Sequence, residues 1–204
     1  LYSRQVGEDV ARDSLERGTE LGGELSRAAV VFVDIVGSTE LAASRPANEV
    51  VDLLNRFFAV VVEEVHAHGG WINKFQGDAT LAVFGVPNST GDPAGRALAT
   101  ARAVASRLPR DVPQLDAGIG VSYGPVVAGN IGDESRFEFT VIRDPVNEAA
   151  RLTELAKTHR PMVLASAATL LAASIAEREN WRLDGEVTLR GRADPTQLAV
   201  PTTP

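Results

Sequence analysis

In the stretch VVFVDIVGST, from Val30 to Thr39, a run of apolar residues ends at a charged residue. The four residues Val30 to Val33 predict a buried strand. Asp34 follows at once, and the loop after it contains Gly37. An aspartate here is often only the end of a strand and the cap of the next helix. A chemical role for Asp34 therefore requires a partner carboxylate elsewhere in the chain.

Composition excludes several classes of function. The chain has 204 residues, enough for one domain with a sizeable core, and its net charge is −7. Such an acidic chain has little general affinity for nucleic acid or for anionic membranes. There is no cysteine, which excludes disulfides, thiolate catalysis and cysteine metal sites and fits a cytoplasmic location.

The chain shows neither a signal peptide nor a membrane span. No apolar run is longer than that from Phe57 to Val62, which is far too short to cross a bilayer. Because the chain begins with Leu1 and its single methionine is Met162, we expect it to be a piece of a longer protein. A sensor or membrane region is then expected upstream, with this part on the cytoplasmic side.

Two domains are predicted. Residues 1–26 are polar, with sparse apolar residues at helical intervals, and predict a helical connector that pairs with a second subunit, ending near Gly22 and Gly23. A solvated linker is an equally good interpretation of this segment. Residues 27–204 form the second domain.

The order of elements in the second domain predicts an α+β fold. A strand from Ala28 to Asp34 precedes a helix from Ala47 to His68, and a hairpin with a tight turn at Gly77 and Asp78 follows. The next segments predict a helix, two strands joined around Gly124 and Pro125, another strand and a third helix that begins at Asp144. This is the βαββαβ order of a ferredoxin-like sandwich with a central, mostly antiparallel sheet.

Asp78 is the partner carboxylate that Asp34 requires. In this topology the first strand lies beside the hairpin, so the two aspartates are expected side by side. Two ionised carboxylates at close range repel each other unless a proton or a cation lies between them. An all-oxygen site with open positions suits Mg²⁺ or Mn²⁺. Either aspartate alone is explained by a cap or a turn, but the pair favours a metal site.

A second candidate group follows the hairpin and opens the third helix. Asn147 and Arg151 are four residues apart and therefore share one face of this helix. A guanidinium suits a phosphoryl group with developing charge, and an amide can orient a sugar oxygen. Taken alone, such a pair is more often part of a solvated helix face.

Four motifs together resemble the catalytic domain of class III adenylate and guanylate cyclases. They are FVDIVGST, NKFQGDATLAVFG, GVSYGPVVAGNIG and TVIRDPVNEAARL, in the order and spacing of that family, and the resemblance extends from about Ala28 to Val200. It implies a bacterial adenylyl cyclase that works as a homodimer, with ATP as substrate and two Mg²⁺ or Mn²⁺ ions as cofactors.

The resemblance also implies roles for particular residues. Asp34 and Asp78 match the metal-binding aspartates, and the backbone carbonyl of Ile35 completes the shell of one ion. Lys74 and Thr140 match the residues that read the base, while Asn147 and Arg151 match the pair that stabilises the transition state. The remaining matches contact phosphates: the loop residues Val36, Gly37, Ser38 and Thr39, and Arg190 where a lysine is usual.

Two positions depart from the family pattern. Thr140 stands where many members carry an aspartate that acts with the lysine on adenine, and a threonine can both donate and accept a hydrogen bond. Arg143 stands where a glycine is common, and the sequence offers no physical reason for it.

Lys74 favours ATP over GTP. Adenine N1 accepts a hydrogen bond and a lysine ammonium only donates, whereas guanine N1 carries a hydrogen.

The competing interpretations are a guanylyl or dual-specificity cyclase, and an inactive domain that only binds nucleotide or dimerises. Other chemistries lack their motifs: there is no P-loop, and His66 and His68 are more simply polar residues at a helix end than zinc ligands.

Overall fold

The computed structural model describes residues 20–88, 91–133 and 135–203. The strands in these ranges are β1 (Gly22–Ile35), β2 (Trp71–Gln76), β3 (Ala79–Phe84), β4 (Ala117–Asp133), β5 (Arg136–Ile142), β6 (Val163–Ser166), β7 (Trp181–Val187) and β8 (Thr196–Pro201). The helices are α1 (Ser38–Ser44), α2 (Ala47–Ala67), α3 (Pro93–Asp111), α4 (Asp144–Ala156), α5 (Ala167–Ala172) and α6 (Ile175–Arg178). The predicted N-terminal helix lies outside the described residues over positions 1–19.

Strand β1 is longer than predicted. It begins at Gly22 rather than at Ala28, because its first residues pair antiparallel with the far half of β4, where Gly22 lies opposite Asn130. Residues 22–26, which were predicted to belong to the connector, are therefore part of the sheet. Local polarity hid this strand, since its pairing depends on a partner that lies about a hundred residues further along the chain.

Strand β4 is a single strand where the sequence predicted two. Gly124 and Pro125 were expected to form a turn, but they lie opposite Ala28 and Arg27 within one continuous ladder. The predicted break is wrong, because the long β1 provides pairing partners on both sides of the glycine-proline step. A Gly-Pro pair indicates a turn only when no neighbouring strand holds the chain extended.

The predicted sandwich is confirmed. The sheet is eight-stranded, with the order β2-β3-β1-β4-β6-β8-β7 and β5 paired to β4. The first four strands of this order, with α2 and α3 as crossovers, are the ferredoxin-like βαββαβ unit. Every pair of neighbouring strands is antiparallel except β4 and β6.

The two faces of β1 support different layers. Val31 and Val33 pack with α2 and α3, whereas Val30 and Phe32 point to the opposite face, which carries α4. Successive side chains of a strand alternate between faces, and here both faces are covered, which explains the unbroken apolar run. Asp34 has the parity of Phe32 and therefore lies on the face of α4.

The helices end where the sequence indicated. Helix α2 ends at Ala67, one residue before the predicted end, and α3 begins at Pro93 with Asp92 as its N-cap, whose side chain accepts from the amide of Gly95 at 2.9 Å. In the part of the chain that the structure describes, no helix is both long and apolar enough to cross a membrane.

Candidate active site

Asp34 and Asp78 lie at one end of the sheet, as the sequence predicts. Asp34 is paired with Ala79 in the β1–β3 ladder, so the turn that carries Asp78 is its direct neighbour. Burial raises the pKa of the Asp34 carboxyl, and the negative charge of Asp78 raises it further. The two carboxylates repel each other because the β1–β3 ladder places Asp34 beside the turn that carries Asp78.

A lysine that the sequence analysis missed completes this group. Lys157 donates from Nζ to Asp34 Oδ2 at 2.7 Å and to Glu154 Oε1 at 2.9 Å. These bonds and the negative charges raise the pKa of Lys157 although burial by itself lowers it. The three-residue spacing of Glu154 and Lys157 is typical of a pair on one helical turn, but only the packing of α4 on β1 brings that pair to Asp34.

The donor chemistry of this end fits a hard divalent cation. The two aspartates supply carboxylate oxygens, and the Lys157 ammonium shows that Asp34 attracts a positive charge. In the described residues no group of three or more His, Cys, Asp or Glu side chains gathers round one point. Mg²⁺ bound with phosphates usually needs only one or two carboxylates, with its other ligands supplied by water and by the substrate.

The loop after Asp34 is held in a fixed shape. The amide of Val36 donates to the carbonyl of Asp116 at 2.8 Å, and Gly37 adopts a φ of 67°. That left-handed conformation favours glycine, which explains Gly37 at this position. Ser38 and Thr39 form the first turn of α1, where no side chain caps the free amides.

A second cluster contains the residues expected to read the base. Lys74 on β2 forms an ion pair with Glu138 on β5. The neighbouring Asn73 accepts from the Thr140 hydroxyl at 2.9 Å and donates to the carbonyl of Phe139 at 2.9 Å. The structure thus brings Lys74 and Thr140 together, and adds Asn73 and Glu138, which only their polarity could have indicated in the sequence.

Helix α4 carries the remaining candidates on its exposed side. Asn147 and Arg151 are both exposed and lie one turn apart. The buried side of the same helix holds Glu148, which accepts from Ser122 at 2.5 Å and from Arg192. Arg192 also pairs with Asp144 at 3.0 Å. It thereby ties the loop that contains Arg190, between β7 and β8, to the helix that contains Asn147 and Arg151.

The conformation of Arg143 explains why glycine is common at its position. Arg143 precedes α4 with φ 114° and ψ −173°, a backbone region that residues with a side chain rarely adopt. An arginine here is strained, whereas a glycine is not. The sequence could not show this, because the strain arises from the direct passage from β5 into α4.

Comparison with known proteins identifies the family. The model of the adenylate and guanylate cyclase catalytic domain matches residues 23–200, so the chain belongs to this family of class III nucleotidyl cyclases, which are lyases that generally use divalent metal ions. Adenylyl cyclase CyaB from P. aeruginosa superposes with a TM-score of 0.78 at 26% identity, over 88% of this chain and 95% of that one. Guanylyl cyclase Cya2 superposes with a TM-score of 0.76 at 30% identity, over 88% and 93%.

Relatives of higher identity include mycobacterial proteins. The uncharacterized protein Rv1319c of Mycobacterium tuberculosis is 57% identical over 202 residues, which cover 99% of this chain and 38% of that protein. The uncharacterized protein Mb1354c of Mycobacterium bovis is 58% identical over 201 residues, covering 98% and 35%. The chain thus spans little more than a third of the length of these curated relatives.

Proposed function

We propose that the chain is an adenylyl cyclase, which converts ATP to 3′,5′-cyclic AMP and pyrophosphate. The observation that carries the choice of ATP is Lys74, which lies in one cluster with Thr140. Its ammonium donates to adenine N1, whereas guanine N1 would set a donor against a donor. A mismatch of this kind in a buried site costs about 1–3 kcal/mol.

Asp34, Asp78 and the carbonyl of Ile35 would hold two Mg²⁺ or Mn²⁺ ions at the other end of the nucleotide. When bound, the ions would lower the pKa of the ribose 3′-hydroxyl and neutralise charge on the triphosphate. Asp34 must release Lys157 to act as a ligand, and Glu154 remains to hold the lysine. Asp34 would therefore exchange one cationic partner, Lys157, for another.

The remaining residues bind and orient the substrate. In this proposal Asn147 holds the ribose so that the 3′-oxygen is in line with the α-phosphorus, and Arg151 stabilises the charge that develops there. The amides of Val36 to Thr39 approach the terminal phosphates, and Arg190 adds a positive charge. Arg192 holds the loop that contains Arg190 against α4, so this loop stays in a fixed position relative to the helix that carries Asn147 and Arg151.

The active unit in this proposal is a homodimer. The metal-binding aspartates lie beside the C-terminal end of α4, where Lys157 reaches Asp34, whereas Asn147 and Arg151 project from the exposed side of that helix. A second copy, related by a two-fold axis, brings its own Lys74, Thr140, Asn147 and Arg151 to these aspartates. Each dimer then contains two equivalent sites.

Within a longer protein, we propose that the residues before β1, positions 1–21, connect this domain to an upstream sensor or membrane region. The greater length of the mycobacterial relatives supports such a region. In this arrangement the domain works on the cytoplasmic side, where ATP is supplied.

A guanylyl cyclase is the second candidate, and the likeness to Cya2 at 30% identity favours it over an inactive domain. Product analysis after incubation with Mn²⁺ and either ATP or GTP separates the two cyclase activities. We expect cyclic AMP from ATP, and conversion of GTP at least tenfold slower. Equal or faster conversion of GTP contradicts the choice of ATP. Nucleotide binding without any cyclic product identifies an inactive regulatory domain instead.

A further inference from the structure

The Thr140 hydroxyl has a fixed polarity in this structure. It donates its single proton to Asn73 Oδ1 at 2.9 Å. Thr140 is only 5% exposed, so water does not compete freely for this hydroxyl. A hydroxyl has one proton and two lone pairs. With the proton engaged by Asn73, the Thr140 oxygen can only accept a hydrogen bond from anything else that reaches it.

Asn73 cannot simply reverse this arrangement. Its Nδ2 donates to the backbone carbonyl of Phe139 at 2.9 Å, and a carbonyl oxygen only accepts. If the amide flipped, its oxygen would face the Phe139 carbonyl and its NH₂ group would face Thr140. That flip sets two acceptors against each other, so Phe139 determines which end of the Asn73 amide points to Thr140.

A second acceptor lies on the same face of β5. Glu138 is two residues before Thr140 and points to the same side of the strand, where it pairs with Lys74. As a carboxylate it has no proton to donate. On β5, Glu138 and Thr140 therefore present acceptors, and the Lys74 ammonium supplies a donor that faces Glu138.

We propose that Asn73 is a specificity-determining positioning residue, which selects 6-aminopurine over 6-oxopurine nucleotides by holding the Thr140 hydroxyl as an acceptor. This inference rests on the proposed binding of the base between Lys74 and Thr140. The 6-amino group of adenine donates and matches Thr140. The 6-oxygen of guanine or hypoxanthine accepts hydrogen bonds, so it would face a lone pair of the Thr140 oxygen with no proton between them. Selection at position 6 is then added to that of Lys74 at N1.

The test compares ATP with inosine triphosphate, which has the 6-oxygen but lacks the 2-amino group of GTP. Their 3′-deoxy forms lack the attacking hydroxyl, so isothermal titration in Mn²⁺ measures binding independently of turnover. We expect wild-type protein to bind the 3′-deoxy form of ATP at least tenfold more tightly. Asn73→Ala frees the Thr140 proton, and should reduce this preference about tenfold, mainly through tighter binding of the inosine analogue.

Thr140 provides the matched controls. Thr140→Ser keeps the hydroxyl and should retain the wild-type preference, whereas Thr140→Val removes it and should lower the preference. Asn73→Ala added to Thr140→Val should then have no further effect on the ratio, because Asn73 acts only through that hydroxyl. Thermal unfolding of each variant separates loss of fold from loss of selectivity, and an Asn73→Ala protein that does not fold is replaced by Asn73→Ser.

Three results overturn the inference. An unchanged ratio in the folded Asn73 variant, with a lowered ratio in Thr140→Val, shows that Thr140 selects the base without help from Asn73. An unchanged ratio in Thr140→Val shows that Thr140 does not contact position 6. A wild-type protein that prefers the inosine or guanosine nucleotide contradicts the proposed function itself, and is recognised before any variant is made.

Discussion

Two residues of the candidate site and its surroundings, Asp34 and Arg143, lower the stability of the folded protein. Asp34 is a half-buried carboxylate beside Asp78, and both its desolvation and the repulsion from Asp78 oppose folding. Arg143 has a backbone conformation that disfavours any side chain. Residues that reduce stability without serving the core are characteristic of functional sites. Both can therefore be tested by substitutions that separate stability from activity.

Asp34→Asn should abolish turnover without lowering stability. The amide keeps the size of the carboxylate but removes the charge that binds a cation, so we expect the rate of cyclic nucleotide formation to fall at least 100-fold. The midpoint of thermal unfolding should stay the same or rise, because desolvation and repulsion are both relieved. Asp184→Asn, at an exposed strand position, is the matched control and should leave the rate unchanged. An active Asp34→Asn protein contradicts the metal assignment.

Arg143→Gly should stabilise the protein. A glycine removes the strain at φ 114° but adds freedom to the unfolded chain. We expect a net gain of about 1 kcal/mol in the free energy of unfolding, given the usual cost of such a conformation. Urea denaturation measures this gain. Arg143→Ala removes the same charge but keeps a Cβ, so it should give no comparable gain; equal effects of the two substitutions would assign the change to the charge.

Whole elements are positioned by contacts at their ends. Helix α3 begins at Asp92, whose side chain accepts from Gly95 at 2.9 Å and from the amide of Ser174 at 3.2 Å. One carboxylate thus caps α3 and holds the loop between α5 and α6. Lys157, directly after α4, joins that helix to β1. The first contact maintains the fold, whereas the second lies in the candidate site.

The Asp92 cap predicts a pH-dependent contribution to stability. Burial by itself raises the pKa of Asp92, but hydrogen bonds from Ser174 and Gly95 outweigh it, so the pKa is lowered on folding. A carboxyl whose pKa is lower in the folded state adds stability above its unfolded pKa, and that stability is lost as the pH falls through the folded value. The contribution should therefore be complete at about pH 6–7 and fade below about pH 4.

Asp92→Asn tests this contribution. Asparagine tolerates the left-handed conformation and still caps the helix with its one amide oxygen, but it removes the charge and the second acceptor, which receives the Ser174 amide. We expect a loss of about 0.5–1 kcal/mol in the free energy of unfolding at neutral pH. Urea titrations at several pH values should show this difference disappearing in acid. A difference that does not vary with pH would mean that the charge of Asp92 has no part in it.

At the scale of the whole molecule, the arrangement of α4 predicts sites shared between two chains. The aspartates lie beside the end of this helix, while Asn147 and Arg151 face away from the chain. In the proposed function, a nucleotide that reaches both groups lies between two copies.

Complementation between two inactive variants tests the shared site. Asp34→Ala and Asn147→Ala should each be nearly inactive alone. Mixing them forms heterodimers with one intact site, so about a quarter of wild-type activity should return if subunits exchange at random. Mixing two separate preparations of Asp34→Ala is the control. A mixture that stays inactive although labelled subunits exchange would show that each chain builds its own site.

Much of this protein follows from local sequence. The helix boundaries, the hairpin turn at Asp78, the cap at Asp92 and the βαββαβ order depend on residues close together in the chain, so periodicity and turn chemistry predict them. The adjacency of Asp34 and Asp78 could also be predicted, because this topology places β1 beside the hairpin whose turn contains Asp78.

What only the tertiary structure decided depends on partners far apart in the chain. From local sequence the first residues of β1 resemble a linker, and Gly124 and Pro125 resemble a turn. Only the pairing of β1 with β4 makes both segments part of the sheet. Lys157 reaches Asp34 only because α4 packs on the face to which Asp34 points. The polarity of the Thr140 hydroxyl is set by Asn73 across the sheet. A sequence states which groups can donate or accept a hydrogen bond, but only the fold determines which of them are already engaged.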